Sequence, residues 1–397
     1  MKVRAALVVQ RYGNEVLGGA ESLARRVAEL LNPHLELTVL TTCALDYYSW
    51  ADHYEPGEDD VNGVRVLRFS VPEQRDLLDF DLASGLAYAD TGDLGLGRAW
   101  MAAQGPNAPG LLEHLREHGA DYDAVVFVTY LYATTADGLP LVAERSLLCP
   151  TMHDEPPLRL AIFDELFAQA RLCLFSTPEE RELARNRFGV PDERARVVGA
   201  GIDDPGDADP GRFAGQTGID RPYALYMGRL DASKGVPELV DFHRRYRARR
   251  PDGLDLVLIG GGDLPLPQAN GFHSLGFVSE QEKNDAIAGA SVVVCPSPYE
   301  SLSFAQLEAW SHGRPTLANA VSPVLEGQSR RAGGGLWYES ADEYAAMLDL
   351  LARAEPLAGA IGAQGRRYVR EAYSWDHLRD EWLGAIADVA GKANLAS

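Results

Sequence analysis

Two glutamates in a Glu-x7-Glu spacing, Glu300 and Glu308, close off the stretch Pro296-Ser297-Pro298-Tyr299-Glu300-Ser301-Leu302-Ser303-Phe304-Ala305-Gln306-Leu307-Glu308. Carboxylates accept hydrogen bonds from sugar or ribose hydroxyls, so two on one passage of chain can hold a polyhydroxylated ligand at two points. Ser303 with Gln306 three residues on reads as a capping box, and Gly313 and Pro315 mark the end of the helix it opens. Glu300 then lies in the loop before that helix and Glu308 about two turns along it. The plain alternative for Glu300 is an acid favoured by the helix dipole. A second set is cationic. Arg229 ends the strand-like run Tyr226-Met227-Gly228-Arg229-Leu230, and Lys234-Gly235 follows just before a helix. Two cations at the carboxyl end of a strand suit a diphosphate, with a pair of solvated surface charges as the alternative.

Glycines supply a third set. Gly18 and Gly19 sit in Asn14-Glu15-Val16-Leu17-Gly18-Gly19-Ala20-Glu21, between the first strand and the first helix. Gly260, Gly261 and Gly262 directly follow a strand. Both loops allow close backbone approach, and a helix start offers unpaired N–H groups to an anion. A turn needing positive φ explains the first equally well, a flexible loop the second. His153 is the one histidine placed after a mid-chain strand beside an acid, Asp154; a structural role is its ordinary reading.

The elements that would position these groups alternate in period. Arg4 to Gln10 reads as a strand, Glu21–Leu31 as a helix and Leu35–Thr41 as a strand, the order of a parallel sheet with crossover helices. Strands follow at Asp123–Thr129, Leu147–Met152, Leu172–Ser176 and Arg196–Gly199, with a helix at Pro178–Phe188. Gly201 to Pro222, dense in Gly, Pro and Asp, reads as a linker. Beyond it the alternation restarts, with strands at Tyr223–Met227, Leu254–Ile259, Ser291–Cys295 and Thr316–Asn319. Helices are expected at Val236–Arg249, Glu280–Ala288, Phe304–His312, Ala341–Ala354, Ala358–Tyr373 and Ser374–Ala390. The expected fold is α/β, two doubly wound Rossmann-like domains. Residues 1–205 would form the first and 206–374 the second, with the helix about 375–397 packing back onto the first. Residues 70–110 show no clear period. The aromatics Tyr47, Tyr48, Trp50, Tyr54, Phe80, Tyr88 and Trp100 in this part of the chain could stack on a sugar or simply pack.

The 397 residues suffice for two or three domains with real cores. Composition is globular, 46% hydrophobic and 24% charged. The formal net charge of −21 with no basic run disfavours nucleic acid and a broad basic membrane patch. The four cysteines form no CxxC and are expected as free thiols in a reducing, cytoplasmic setting. No apolar run approaches a bilayer span, and the N-terminus lacks a secretory pattern. Weak peripheral membrane contact and the oligomeric state stay open. The pairs Asp59-Asp60 and Asp203-Asp204 are read as solvating their loops, so no metal site is expected.

With the spacing Glu300-x7-Glu308 in place, the chain resembles the retaining glycosyltransferases of family 4, of the GT-B type. Further motifs fall in the family order: Gly18-Gly19-Ala20-Glu21, His153-Asp154, Gly199-Ala200-Gly201-Ile202-Asp203, Gly228-Arg229-Leu230 with Lys234-Gly235, and Gly276-Phe277-Val278. The resemblance covers nearly the whole chain and is thinnest over residues 45–120. It implies a GT-B fold with a cleft between domains, an N-terminal acceptor domain and a C-terminal domain binding a nucleotide-diphosphate sugar, with a UDP- or GDP-sugar as the expected donor. Arg229 and Lys234 would bind the diphosphate. Backbone at Gly18 and Gly19, and at Leu302, Ser303 and Phe304, would hold phosphate and sugar. Glu308 would accept from the ribose, Glu300 would contact the sugar, His153 would sit beside the reacting centre, and Phe277 and Val278 would flank the base, with Gly260 nearby. Ser303 stands where many members have Gly, and Gly199-Ala200-Gly201 where many have Asn-Gly. The implied activity is metal-independent hexosyl-type transfer (EC 2.4) to a sugar, glycolipid or small-molecule acceptor, serving polysaccharide, glycolipid or natural-product glycoside synthesis, with no further cofactor. The competing readings are a non-catalytic nucleotide-sugar-binding protein and a GT-B-type epimerase or phosphorylase.

Overall fold

Short Val-, Leu- and Ala-rich runs between polar or glycine loops form strands that are buried on both faces, the pattern of parallel sheets covered by helices. The computed structural model describes residues 2–16, 18–262, 264–265 and 269–392. It divides into one unit of Met1–Ala200 with Trp375–Ser397 and another of Gly201–Ser374.

The first unit holds β1 (Arg4–Val8), β2 (Glu36–Thr42), β3 (Gly57–Val61), β4 (Val64–Phe69), β5 (Ala124–Val128), β6 (Ser146–Cys149), β7 (Leu172–Phe175) and β8 (Ala195–Val197). Their order is β3-β4-β2-β1-β5-β6-β7-β8, parallel except for the antiparallel edge pair β3/β4. The second holds β9 (Tyr223–Met227), β10 (Asp255–Ile259), β11 (Phe272–Gly276), β12 (Val292–Cys295), β13 (Thr316–Asn319) and β14 (Gly335–Tyr338), all parallel in the order β11-β10-β9-β12-β13-β14. The α/β class with two Rossmann-like sheets is therefore as expected. Among the parallel strands the chain order reverses between β1 and β5 in the first sheet and between β9 and β12 in the second. Loops beyond the carboxyl ends of strands at such a reversal are where open α/β sheets place ligands.

Several local expectations need correction. The stretch 201–222 is not all linker, because Pro210–Thr217 is a helix. Asp209 caps it through Gly211 N (2.8 Å), Pro210 occupies its first turn and Gly218 ends it with φ 72°. Residues 70–110 contain the helices Leu77–Ala89 and Leu94–Gln104 and the start of Pro109–His118. Asp76 and Asp93 cap the first two. Asp59 and Asp60 do not lie in a loop but in β3, where Asp59 pairs with the buried Arg68 at 2.8 Å. The last helix is Trp375–Val389, which packs on the helix Gly19–Leu31 and on β6; residues 393–397 of the expected element lie outside the described residues.

Most of the aromatic residues are packing groups. Trp50 and Trp100 are buried, Phe80 and Tyr88 lean on Trp100, and Trp50 donates Nε1–H to the Gln104 carbonyl at 2.7 Å. Tyr48 is exposed. All four cysteines are buried free thiols. Among the described residues no helix is long and apolar enough to cross a membrane.

Candidate functional site

In the second unit, β9 runs straight into Gly228-Arg229, and the Tyr226 hydroxyl donates to the Arg229 carbonyl at 2.7 Å, fixing the turn. Arg229 is more than half exposed and lies 3.4 Å from Asp231. Asp231 accepts the Lys234 N–H (3.0 Å) and the Ser233 hydroxyl (2.6 Å), so one carboxylate shapes the whole loop from β9 to the helix Val236–Arg249. Gly235 turns the chain with φ 73° against the Pro296 carbonyl, which leaves no room for a side chain. That contact brings the loops after β9 and β12 together, and with them Lys234 and Glu300, whose Nζ and Oε1 are 2.9 Å apart.

Beyond β12 the helix Phe304–Ser311 begins at Ser303, whose hydroxyl accepts the Gln306 N–H at 3.3 Å. The capping box is only half made. Gln306 does not reach back; its amide donates to the Leu325 carbonyl (3.2 Å) and to Ser329 (2.8 Å), tying this helix to Pro323–Ala332. The Ser303 N–H is taken by Gln328 at 3.0 Å, so of the expected backbone donors at 302–304 this one is already used. Leu302 is buried, and Phe304 is half-buried.

Glu308 faces Lys283 at 2.9 Å, and Lys283 also reaches Glu280 at 2.8 Å. Burial pushes the Glu308 carboxyl above its ordinary range, with Lys283 pulling the other way. Lys283 is held above its usual value; desolvation opposes this, and Glu308 and Glu280 outweigh it. The sequence reading missed Lys283, although it stands in the first turns of the helix Glu280–Gly289, directly after Phe277-Val278.

The glycines after β10 serve the protein before any ligand. A side chain at Gly260, φ 134°, would overlap the Gly228 carbonyl. Three backbone bonds explain the closeness: Gly228 N to Ile259 O (3.0 Å), Leu230 N to Gly261 O (2.8 Å) and Gly260 N to Gly276 O (2.9 Å). The Phe277 ring lies on Gly261 and is 75% exposed, an open aromatic face. Val278 is committed to the core around Leu225 and Val257.

In the first unit, Gly18 caps the helix Gly19–Leu31, and a side chain there would overlap the Glu21 carboxylate. Glu21 is buried and accepts from Gln10 Nε2 (2.9 Å) and Arg11 Nε (3.1 Å), so the glycine loop is folded over an ion pair. His153 follows β6. Its Nδ1 is 3.6 Å from Glu155 Oε1, which also accepts the Tyr130 hydroxyl at 2.9 Å. Just before it, the Met152 N–H donates to Glu180 Oε1 (2.7 Å), and Ser176 N to Glu180 Oε2 (2.6 Å). Glu180 is fully buried and burial pushes it up to about 8. The structure thus joins Lys234 with Glu300 and Glu308 with Lys283 in one unit, and sets Gly18, Gly19 and His153 at strand ends of the other.

Residues 221–353 match the family model described as Glycosyl transferases group 1. Alpha-maltose-1-phosphate synthase of Mycobacterium tuberculosis is 27% identical over 198 residues, covering 45% of this chain and 51% of that protein. The chain spans about half the length of the curated relatives it matches. Among solved structures, sucrose-phosphate synthase from Thermosynechococcus elongatus superposes with a TM-score of 0.72 at 18% identity, covering 98% of this chain and 100% of the other. Anabaena HepE in complex with UDP follows with a TM-score of 0.69 at 14% identity, covering 97% and 100%. By its matched segment the chain is similar to group 1 glycosyl transferases, and its two Rossmann-like domains give it the GT-B glycosyltransferase fold.

Proposed function

We propose that the protein is a retaining glycosyltransferase that moves a hexosyl-type sugar from a nucleotide-diphosphate sugar to an acceptor hydroxyl without a metal ion, in polysaccharide, glycolipid or natural-product glycoside synthesis. The observation that supports this most is the Lys234–Glu300 pair, 2.9 Å apart, beside Arg229 at the carboxyl ends of β9 and β12. In this reading the second unit holds the donor. Arg229 and Lys234 neutralise the charge that develops on the departing diphosphate. Glu300 accepts from sugar hydroxyls, Glu308 from the ribose, and the open face of Phe277 with the backbone at Val278 flanks the base. The first unit binds the acceptor, while its Gly18 and Gly19 backbone helps hold the donor phosphate and sugar and His153 stands beside the reacting centre. The bond from the anomeric carbon to phosphate oxygen breaks, the bond to the acceptor oxygen forms on the same face, and the acceptor proton passes to the leaving phosphate. The match of 221–353 and the relatives named as sugar-transferring or sugar-phosphate-forming enzymes support transfer. The HepE complexes with UDP and UDP-glucose support a UDP-sugar among the donors.

Thermal shift with UDP, GDP, ADP, TDP and CDP, each with and without EDTA, tests the donor half. A nucleotide at about 100 times its Kd stabilises the fold by about 2.7 kcal/mol. One nucleotide should shift the melt and EDTA should not remove the shift. No shift for any nucleotide overturns the donor site. The anomeric proton coupling of the product, read by NMR, tests retention.

A further inference from the structure

Thr129 and Thr151 lie just past the carboxyl ends of β5 and β6, with φ 65° and 50°. β-branched residues seldom enter the left-handed region, and such strain persists only where the surroundings fix it, often at functional sites. Here backbone bonds fix it: Thr129 N to Cys149 O (2.8 Å) and Tyr130 N to Pro150 O (3.1 Å), with Met152 N on Glu180 (2.7 Å). The bracket so formed holds two side chains. The Tyr130 ring is buried, edge-on to Phe163 at 4.7 Å between centroids, and its hydroxyl donates to Glu155 Oε1 at 2.9 Å. Glu155 itself has little freedom. Its N–H donates to the His153 carbonyl (2.8 Å), its carbonyl accepts the Leu158 N–H (3.1 Å), and Pro156 and Pro157 open the short helical turn that follows. The oxygen that Tyr130 fixes is the one that faces His153, 3.6 Å from Nδ1.

His153 Nδ1 is buried although the side chain is 27% exposed, so the open edge of the ring lies away from Nδ1. A carboxylate facing one ring nitrogen draws the proton to that nitrogen and sets the orientation of the ring. The other nitrogen, Nε2, then keeps its lone pair and can accept a hydrogen bond from a hydroxyl. The 3.6 Å separation is longer than a hydrogen bond, as contacts of this kind often are before a ligand tightens them.

We infer that Glu155, held by Tyr130, is the positioning residue of His153: it keeps the ring proton on Nδ1 and turns Nε2 outward as an acceptor for a substrate hydroxyl. That Nε2 meets a sugar hydroxyl rests on the transferase reading above; the tautomer and its cause do not. Ring ¹⁵N NMR of the full chain with labelled histidine reads the tautomer without substrate, and His153→Gln identifies the signal. At a pH where the ring is neutral, His153 should carry its proton on Nδ1. Glu155→Leu, close in volume and unable to accept, should lose that preference. Glu155→Gln, which can still accept at Oε1, should restore most of it. Tyr130→Phe should weaken it, and stands in for Glu155→Leu if that variant fails to fold. Turnover gives an independent reading. Glu155→Leu should lower kcat by about tenfold or more, with the donor KM within about twofold. In a His153→Gln background it should lower kcat no further, because a residue that acts through His153 has nothing left to position. A merely structural role would make the two losses multiply. A proton on Nε2 in the parent, a tautomer indifferent to every variant that folds, or multiplying losses overturns the inference. Absence of turnover in the parent sinks the transferase reading and leaves the NMR test standing.

Discussion

Lys234 and Glu300, sixty-six positions apart in the chain, meet at 2.9 Å because the Gly235 turn lies flat against the Pro296 carbonyl. The pair places a cation and an acid side by side at the point where the order of strands reverses. Each neutralises the other, and in the proposed function a diphosphate sugar would give each a new partner. Glu300→Ala should lower kcat by about 10²–10³-fold, the range for losing one transition-state contact. Lys234→Ala should weaken nucleotide binding in the thermal shift, while Glu300→Ala should largely preserve it. Full turnover by Glu300→Ala would remove that glutamate from the chemistry.

Burial raises the Glu308 carboxyl above its ordinary range, and Lys283, 2.9 Å away, opposes that rise. Lys283→Met takes that opposition away, so the carboxyl should protonate at a higher pH than in the parent. Nucleotide affinity that depends on a charged Glu308 should then fade as the pH falls, beginning at a higher pH in the variant. Parallel pH profiles of the nucleotide Kd for the two proteins would refute the link.

His243 is fully buried in the second unit, between the Tyr344 hydroxyl (2.9 Å) and the Leu254 carbonyl (3.1 Å), and burial lowers it to about 4 from 6.5. Its folded pKa is depressed, so the unfolded chain takes up the proton first. The stability from the neutral ring is complete above about 6.5 and is lost as the pH falls towards 4. A shift of that size is worth about 3 kcal/mol at most. Denaturant melts at pH 7 and pH 4.5 should therefore differ more for the parent than for His243→Gln.

Glu180 holds two backbone N–H groups, one of them next to His153. Glu180→Ala strands both, at about 1–3 kcal/mol for each buried donor. Activity should fall further than the melting temperature alone accounts for, because the His153 loop loses its clamp. Glu180→Gln keeps the shape but turns an N–H toward an N–H, and should recover only part of either loss.

Gly260→Ala should destabilise the second unit by more than about 1 kcal/mol, since φ 134° and the Gly228 carbonyl both exclude a methyl group. Gly19→Ala, with open space around it, should cost far less. Urea melts of the two variants give the comparison.

Much of this was readable before any coordinates. The periods of Tyr223–Met227, Val236–Arg249, Thr316–Asn319 and Pro178–Phe188 appear at those bounds, because buried strands and one-faced helices write their environment into the sequence. The helix Leu77–Ala89 was silent for the opposite reason: its leucines are spread around it, with Leu78 80% and Leu82 64% exposed. The β3/β4 hairpin did carry a signal, the Asn62-Gly63 turn, but Asp59 and Asp60 in β3 hid the strand. In the candidate site the charged residues could be named from spacing. Their partners could not. Lys283 for Glu308, Glu180 behind His153 and Gln328 on Ser303 N come from elements distant in sequence, and only the fold selects them.

The backbone ties between Gly228, Gly260 and Gly276 make the floor beneath the loops after β9, β10 and β11 a shared part, so that no glycine in it changes alone. For protein engineering this sorts the positions. A library randomised at Gly228, Gly260 or Gly262 would spend its members on misfolded chains. One randomised at Phe277, whose ring stands in the open, or at Tyr299 and Ser301 in the loop after β12, would vary the walls over an unchanged floor. Natural divergence in donor choice should follow the same division, with the glycines kept and the walls drifting.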